Sequence, residues 1–149
     1  MQNHKRPPAS LLFIFGGSGD LNFRKLSPAL YNLYIDEWMP EKFGIVGIGR
    51  TPFTDENYRA KLLDGIKQFS RRKDEQNGKW QDFSQHISYL QMDAEKDEEY
   101  KKIAEIVKQT NHNHEQSDIT FRICFKATRE VKSLVSYTPN NYFANTDDL

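Results

Sequence analysis

"FIFGGSGDLNFRKL", residues Phe13–Leu26, decides how the rest of the chain reads. An apolar run ends in Gly16, Gly17, Ser18 and Gly19, and charged residues come at once after it. Ser10–Phe15 predicts a buried strand, because it is a short apolar run closed by glycine. Asp20–Lys25 predicts one or two helical turns. A strand that turns through glycines into a helix has the makings of an anion site. The glycines let the backbone turn tightly and approach a ligand with no Cβ in the way. The free N–H groups of the helix start point at the anion, and the helix dipole favours it. Ser18 adds a hydroxyl donor, and such a loop suits a pyrophosphate. Gly17, Ser18 and Gly19 supply the first half of a G-x-G-x-x-G pattern, but Asn22 stands where a small residue belongs. A glycine-rich turn with no ligand would look the same, so the motif alone leaves both readings open.

Outward from this stretch, Ser27 reads as an N-cap and Pro28 as the first residue of a new helix. That helix should end near Glu37, with Pro40 beyond it and Leu30, Leu33 and Tyr34 on one face. "FGIVGI", Phe43–Ile48, is a second apolar strand, followed by Gly49, Arg50 and Thr51. Thr54 caps the next helix, with Asp55 and Glu56 in its first turn near the positive end of the dipole. Tyr58, Leu62, Leu63, Ile66 and Phe69 form its apolar stripe. Residues 71–79 read as a charged loop and Ile87–Leu90 as a third strand. Lys96–Gln109 reads as a charged helix with Tyr100, Ile103, Ile106 and Val107 as its apolar face. Ile119, Phe121, Ile123 and Phe125 alternate as a strand does.

Strands alternating with helices imply a parallel sheet with helices on its faces. The fold class is therefore α/β. The expected organisation is a flexible segment over 1–9, one folded domain over 10–130, and a divergent or disordered tail over 131–149.

Arg50 is the second functional signal. The end of the second strand carries an Asp or Glu in NAD sites, to accept from the ribose 2′-OH, whereas an arginine there suits a 2′-phosphate. Its planar guanidinium makes charge-assisted bonds to phosphate oxygens. Thr51 can add a hydroxyl. The alternative is a solvated surface arginine.

Composition narrows the remaining classes. At 149 residues the chain suits one domain. Lys+Arg and Asp+Glu are both 21, so no net charge draws the protein to nucleic acid or to a membrane, and any anion site must be local. Cys124 is the single cysteine, which excludes an internal disulfide, and no Cys/His set has zinc spacing. No metal is expected, and the chain reads as reduced and cytoplasmic. His4, Lys5 and Arg6 before Leu11–Phe15 resemble the start of a secretion signal. The apolar run is too short, however, and closes on glycines with no small-residue cleavage site. No run approaches the roughly 18 apolar residues of a membrane span. His4, His86, His112 and His114 read as surface histidines.

The runs "FGGSGDLNFRKLSPALYNLY" and "FGIVGIGRTPFTDENYR" resemble the start of the glucose-6-phosphate dehydrogenase family. There, a strand leads to a G-x-[ST/A]-G-D-L turn, an R-K-L step and a proline-started helix ending in N-L-Y. The second strand reads like I-V-G-x-x-R. The resemblance is specific from Phe13 to Arg59 and fades to pattern by about Phe125. The fold that this resemblance, carried by Phe13–Arg59, implies over 10–130 is a Rossmann-like doubly wound sheet, mostly parallel, three-layer α/β/α, incomplete at the C-terminus. It implies a coenzyme domain for NADP, or NAD in some members, with Gly16, Gly17, Ser18, Gly19, Asp20 and Leu21 forming the coenzyme turn. It implies that Arg50 contacts the 2′-phosphate and that Asp93 lines the adenosine side. It places Lys25 between coenzyme and sugar phosphate, as a substrate-positioning candidate. By residue type alone, Lys25 is equally a solvated helix lysine and Asp20 a helix N-cap. Asn22 departs from the family's usual alanine.

The reaction implied is hydride transfer from C1 of glucose 6-phosphate to NADP, giving 6-phosphogluconolactone, the first step of the pentose phosphate pathway. The family's catalytic histidine lies in an R-I-D-H-Y-L-G-K-E motif, which this sequence lacks. The family's Y-L-A-x-P-P-like segment is replaced by "CFKATREVKSLVSYTPNNYFANTDDL". The expectation is a truncated chain that binds NADP, meets glucose 6-phosphate only with the missing domain, and is inactive alone. Two alternatives stay open: a non-catalytic nucleotide-binding Rossmann module, and a non-functional remnant of a gene.

Overall fold

The computed structural model describes residues 5–70, 78–113, 120–124 and 134–137. Strand β1, Ser10–Phe15, leads through the glycine turn and a π-helical turn, Asn22–Leu26, into helix α1, Ser27–Ile35. Next come β2 (Phe43–Gly49), α2 (Asp55–Phe69), α3 (Lys79–Ser84) and β3 (Ile87–Gln91). A 3-10 turn, Asp97–Glu99, opens α4 (Tyr100–Asn113), and β4 (Thr120–Cys124) and β5 (Leu134–Tyr137) complete the sheet.

The five strands lie in the order β3-β2-β1-β4-β5. β1, β2, β3 and β4 run parallel, and β5 is antiparallel to β4. From β1 the chain steps outward to β2 and β3, then crosses back to β4 on the other side of β1. That reversal is the switch point of a doubly wound sheet, where ligands bind outside the carboxyl ends of the strands.

Strands β1, β2 and β3 each serve two cores because successive side chains point to opposite faces. Leu11, Phe13 and Phe15 of β1, with Val46 and Ile48 of β2, pack against Ile103 and Val107 of α4. Ile14, Ile45 and Ile87 face the other way, onto Tyr31 and Ile35 of α1, Tyr58, Leu62 and Ile66 of α2, and Phe83 of α3. Three layers result, as the alternation of elements implies. Phe13 is fully buried between the sheet and α4. Burying one such ring contributes about 1.5–3 kcal/mol.

Several local expectations hold. Thr54 caps α2, its Oγ1 accepting from the Asn57 N–H at 3.1 Å, with Asp55 and Glu56 in the first turn. Tyr58, Leu62 and Ile66 are buried along α2, while Phe69 is exposed. Ile103 and Val107 are buried on α4, with Tyr100 and Ile106 packed beside them.

Other details differ for physical reasons. Ser27 does not cap a new helix. Its N–H bonds to the Asn22 carbonyl and its hydroxyl donates to Asn22 Oδ1 at 2.9 Å, so the helix runs straight through. The wide turn brings residue i+5 over residue i, and it shifts the phase of α1 behind it. The buried face of α1 is thus Tyr31 and Ile35, with Leu30 and Tyr34 beside them and Leu33 exposed. Helix α3 falls partly in the stretch read as loop, held by the Phe83 ring against Tyr31 at 5.3 Å and Tyr34 at 5.2 Å. β5 falls within the segment read as tail, where it pairs Leu134 with Cys124 and Tyr137 with Phe121. The remainder of that tail, residues 131–133 and 138–149, lies outside the described residues, as do His4 and His114. His86 is a packed residue rather than a surface one: it stacks on Phe43 at 4.0 Å, with Nδ1 2.8 Å from the Phe43 carbonyl oxygen.

Candidate functional site

The glycine turn sits at the carboxyl end of β1. Gly16 adopts φ 70°, a conformation that side-chain-bearing residues avoid, and so ends the strand abruptly. The Gly19 N–H donates to the Gly16 carbonyl at 2.9 Å, closing the turn. The Gly17 N–H donates to the Ile48 carbonyl at 2.7 Å, which fastens the turn to β2. This closeness needs small residues on both sides. A Cβ on Gly17 would lie 2.7 Å from Gly47 Cα, and one on Gly47 would overlap the Tyr58 hydroxyl.

Beneath the turn lies a buried polar network. Asn22, fully buried, donates through Nδ2 to the Gly17 carbonyl and to Tyr58 Oη, both at 2.8 Å. The Tyr58 hydroxyl donates to the same Gly17 carbonyl at 2.8 Å. With Ser27 donating to Oδ1, the amide is satisfied on both sides, which removes the penalty of about 1–3 kcal/mol for an orphaned buried polar group. Asn22 thus fits where a small residue is expected, because the wide turn and Tyr58 supply its partners. Lys61 Nζ donates to the Ser18 carbonyl at 2.9 Å.

Burial, with the Tyr89 phenol next in weight, pushes the Tyr58 hydroxyl well above the usual tyrosine value; the Asn22 bond only partly opposes this. The folded state therefore holds this proton more tightly than the unfolded chain does. That stability is fully present below about pH 10, the ordinary tyrosine value, and is lost as pH rises beyond it. Urea unfolding at pH 9 and pH 11 should show a fall in midpoint that is smaller in Tyr58→Phe. An equal fall in both proteins would mean that Tyr58 does not titrate in this way.

The turn connects to the end of β2 through Tyr89. The Tyr89 hydroxyl donates to the Thr51 carbonyl at 2.6 Å, and both it and the Ser18 hydroxyl lie where a Cβ on Gly49 would fall. Arg50 and Thr51 are exposed. Arg50 borders an open cleft of about 410 Å³ with Gln91, Met92, Asp93, Glu99 and Lys102. Its carbonyl accepts from Gln91 Nε2 at 3.2 Å, while its guanidinium makes no ion pair among the described residues. Lys102, the other cation of the cleft, is paired with Glu99 at 3.0 Å. Lys102, first, and the Asp93 N–H hold the Glu99 carboxyl below its ordinary value. Asp93 is half-buried, its Oδ1 accepting from the Glu95 N–H at 3.0 Å.

The fold therefore brings Gly16, Gly17, Ser18 and Gly19 to the end of β1, and Arg50, Thr51 and Asp93 to the ends of β2 and β3. Asp20 and Leu21 are exposed at the helix start; Asp20 does not cap but pairs with Arg24 at 3.3 Å. Lys25 is exposed on the π-helical turn and makes no ion pair among the described residues. Sequence reasoning missed Tyr58, Tyr89 and Lys61. The usable signal was Tyr58, since a tyrosine on a buried stripe needs a partner for its hydroxyl. Among the described residues no three His, Cys, Asp or Glu cluster as metal ligands, and no helix is long and apolar enough to cross a membrane.

A doubly wound α/β domain with a glycine turn at its switch point belongs to the Rossmann class. Comparison with known proteins narrows this. A family model described as "Glucose-6-phosphate dehydrogenase, NAD binding domain" matches residues 13–132. The chain belongs to that family. It is 40% identical over 83 residues to a glucose-6-phosphate 1-dehydrogenase of Treponema pallidum, covering 56% of this chain and 16% of the relative. It is 31% identical over 107 residues to that of Chlamydia muridarum, covering 72% of this chain and 21% of the relative. The chain thus spans only about a fifth of the relatives' length. Among solved structures, a glucose-6-phosphate dehydrogenase in complex with its substrate glucose-6-phosphate superposes with a TM-score of 0.73 at 22% identity. That match covers 85% of this chain and 26% of the other, and supports the fold.

Proposed function

We propose that this chain binds a nicotinamide dinucleotide at the carboxyl ends of β1, β2 and β3, and prefers NADP to NAD. The observation that carries the reading is the Arg50 guanidinium, exposed at the end of β2 and without an ion-pair partner among the described residues. A cation at this position, where an NAD site would have a carboxylate, suits a 2′-phosphate. The residues present fit the rest of the coenzyme. The turn of Gly16, Gly17, Ser18 and Gly19, continued by Asp20 and Leu21, would take the pyrophosphate. Thr51 and Asp93 would flank the adenosine. When bound, the nicotinamide ring accepts a hydride, and the protein's part is orientation and electrostatics.

In the whole enzyme the hydride would come from C1 of glucose 6-phosphate. Lys25, exposed one turn beyond the coenzyme loop, would hold the sugar phosphate. The histidine motif that removes the hydroxyl proton is absent from these 149 residues, so this chain by itself binds coenzyme without turning substrate over. Calorimetric titration of the chain with NADP and with NAD tests the reading. NADP should bind and NAD should bind more weakly, with no reduction of NADP on adding glucose 6-phosphate. Binding of neither coenzyme would overturn the assignment.

A further inference from the structure

We propose that Asn22 and Tyr58 are positioning residues for the coenzyme turn: by holding the Gly17 carbonyl inward, they aim the Ser18 N–H at the bound pyrophosphate. This rests on the coenzyme site proposed above, and goes beyond it by assigning a role to two residues that never touch the ligand.

The geometry comes from the peptide plane. The Gly17 carbonyl and the Ser18 N–H belong to one planar trans peptide, in which the C=O and N–H point in opposite directions. The carbonyl accepts two buried hydrogen bonds, from Asn22 Nδ2 and from the Tyr58 hydroxyl, each at 2.8 Å. The N–H must therefore face away from the core. On the preceding peptide, the Gly17 N–H is tied to the Ile48 carbonyl at 2.7 Å. On the next one, the Ser18 carbonyl accepts from Lys61 and the Gly19 N–H is spent on Gly16. Ser18 N–H is left as an outward donor of the turn, with no hydrogen bond among the described residues, beside the free N–H groups of the helix start at Asp20.

The network is also rigid. The Asn22 amide group joins three partners, Gly17, Tyr58 and Ser27, from three different parts of the fold. The Tyr58 ring is wedged between Phe53 at 6.0 Å and Tyr89 at 4.7 Å. The Gly17 peptide, flanked by glycine and so free to rotate in isolation, is kept in one orientation before any ligand arrives. Such preorganisation raises affinity by lowering the cost of ordering the site.

The test uses the 149-residue chain as wild type, Tyr58→Phe, Asn22→Ala and the double variant, each checked for cooperative thermal unfolding. Tyr58→Phe keeps the ring and removes only the hydroxyl. Two ligands are titrated: NADP, and adenosine 2′-monophosphate, which carries the adenine and the 2′-phosphate but no pyrophosphate. The double variant should bind NADP about 10-fold more weakly, the size expected for losing a net hydrogen bond or two, and each single variant less so. Binding of adenosine 2′-monophosphate should be unchanged, because that ligand does not reach the turn. Unchanged NADP binding by the double variant would overturn the positioning role, as would equal weakening of both ligands, which signals general loosening. If the double variant fails to unfold cooperatively, the same comparison is read on Tyr58→Phe alone. Failure of the wild type to bind NADP would instead overturn the coenzyme site, and this inference with it.

Discussion

Replacing Arg50 by alanine is expected to lower affinity for NADP by roughly 10- to 100-fold while leaving NAD within about threefold. The magnitude comes from hydrogen bonds to charged groups, worth about 1.5–3 kcal/mol each, with every 1.4 kcal/mol equal to a factor of about ten. The structure makes Arg50 well suited to show the full effect. No ion pair among the described residues has to be broken first, and Lys102, the other cation on the cleft, is already engaged by Glu99. Because the side chain is exposed, the interaction is screened, so the ratio should shrink as salt rises. Titration of wild type and Arg50→Ala with both coenzymes at low and high salt decides the matter. Equal losses for NADP and NAD would remove Arg50 from the 2′-phosphate.

Gly17→Val is expected to destabilise the domain by about 3 kcal/mol or more and to abolish coenzyme binding together with it. The new Cβ would lie 2.7 Å from Gly47 Cα, 2.9 Å from Ile48 N and 2.9 Å from Tyr58 Oη. Two of these atoms are backbone of a central strand, so relief requires moving β2 itself. Overpacking in a core costs about 1–3 kcal/mol for added methylenes. Valine's two further carbons, placed against backbone, exceed that range. Against a total stability of about 5–15 kcal/mol for a domain, the loss is large. A urea midpoint equal to that of the wild type would show that turn and strand are not packed as described.

Much of the fold was legible because it rests on local patterns. "LLFIF" and "FGIVGI" are apolar runs of strand length, and Thr54 with Asp55 and Glu56 is a helix start with a direct mechanism. The misreadings share one origin. Ser27 before Pro28 has the local form of a cap, yet the buried Asn22 residue claims both its N–H and its hydroxyl. The phase of α1 then depends on a π-helical turn that no periodicity announces. α3 and β5 are short, and their formation depends on distant partners, Tyr31 and Tyr34 for α3 and β4 for β5.

By itself, then, the order of residues determined the alternating α/β architecture, the glycine turn after the first strand, and the placing of Arg50 at the end of the second. These arise from hydrophobic period and backbone chemistry, which act over a few residues. Only the tertiary structure decided how the turn is held. Gly17, Asn22, Ser27, Gly47 and Tyr58 meet because β1, β2, α1 and α2 pack around one buried carbonyl. A buried polar group must find its partners wherever the fold puts them, and that requirement is written in no single stretch of the chain.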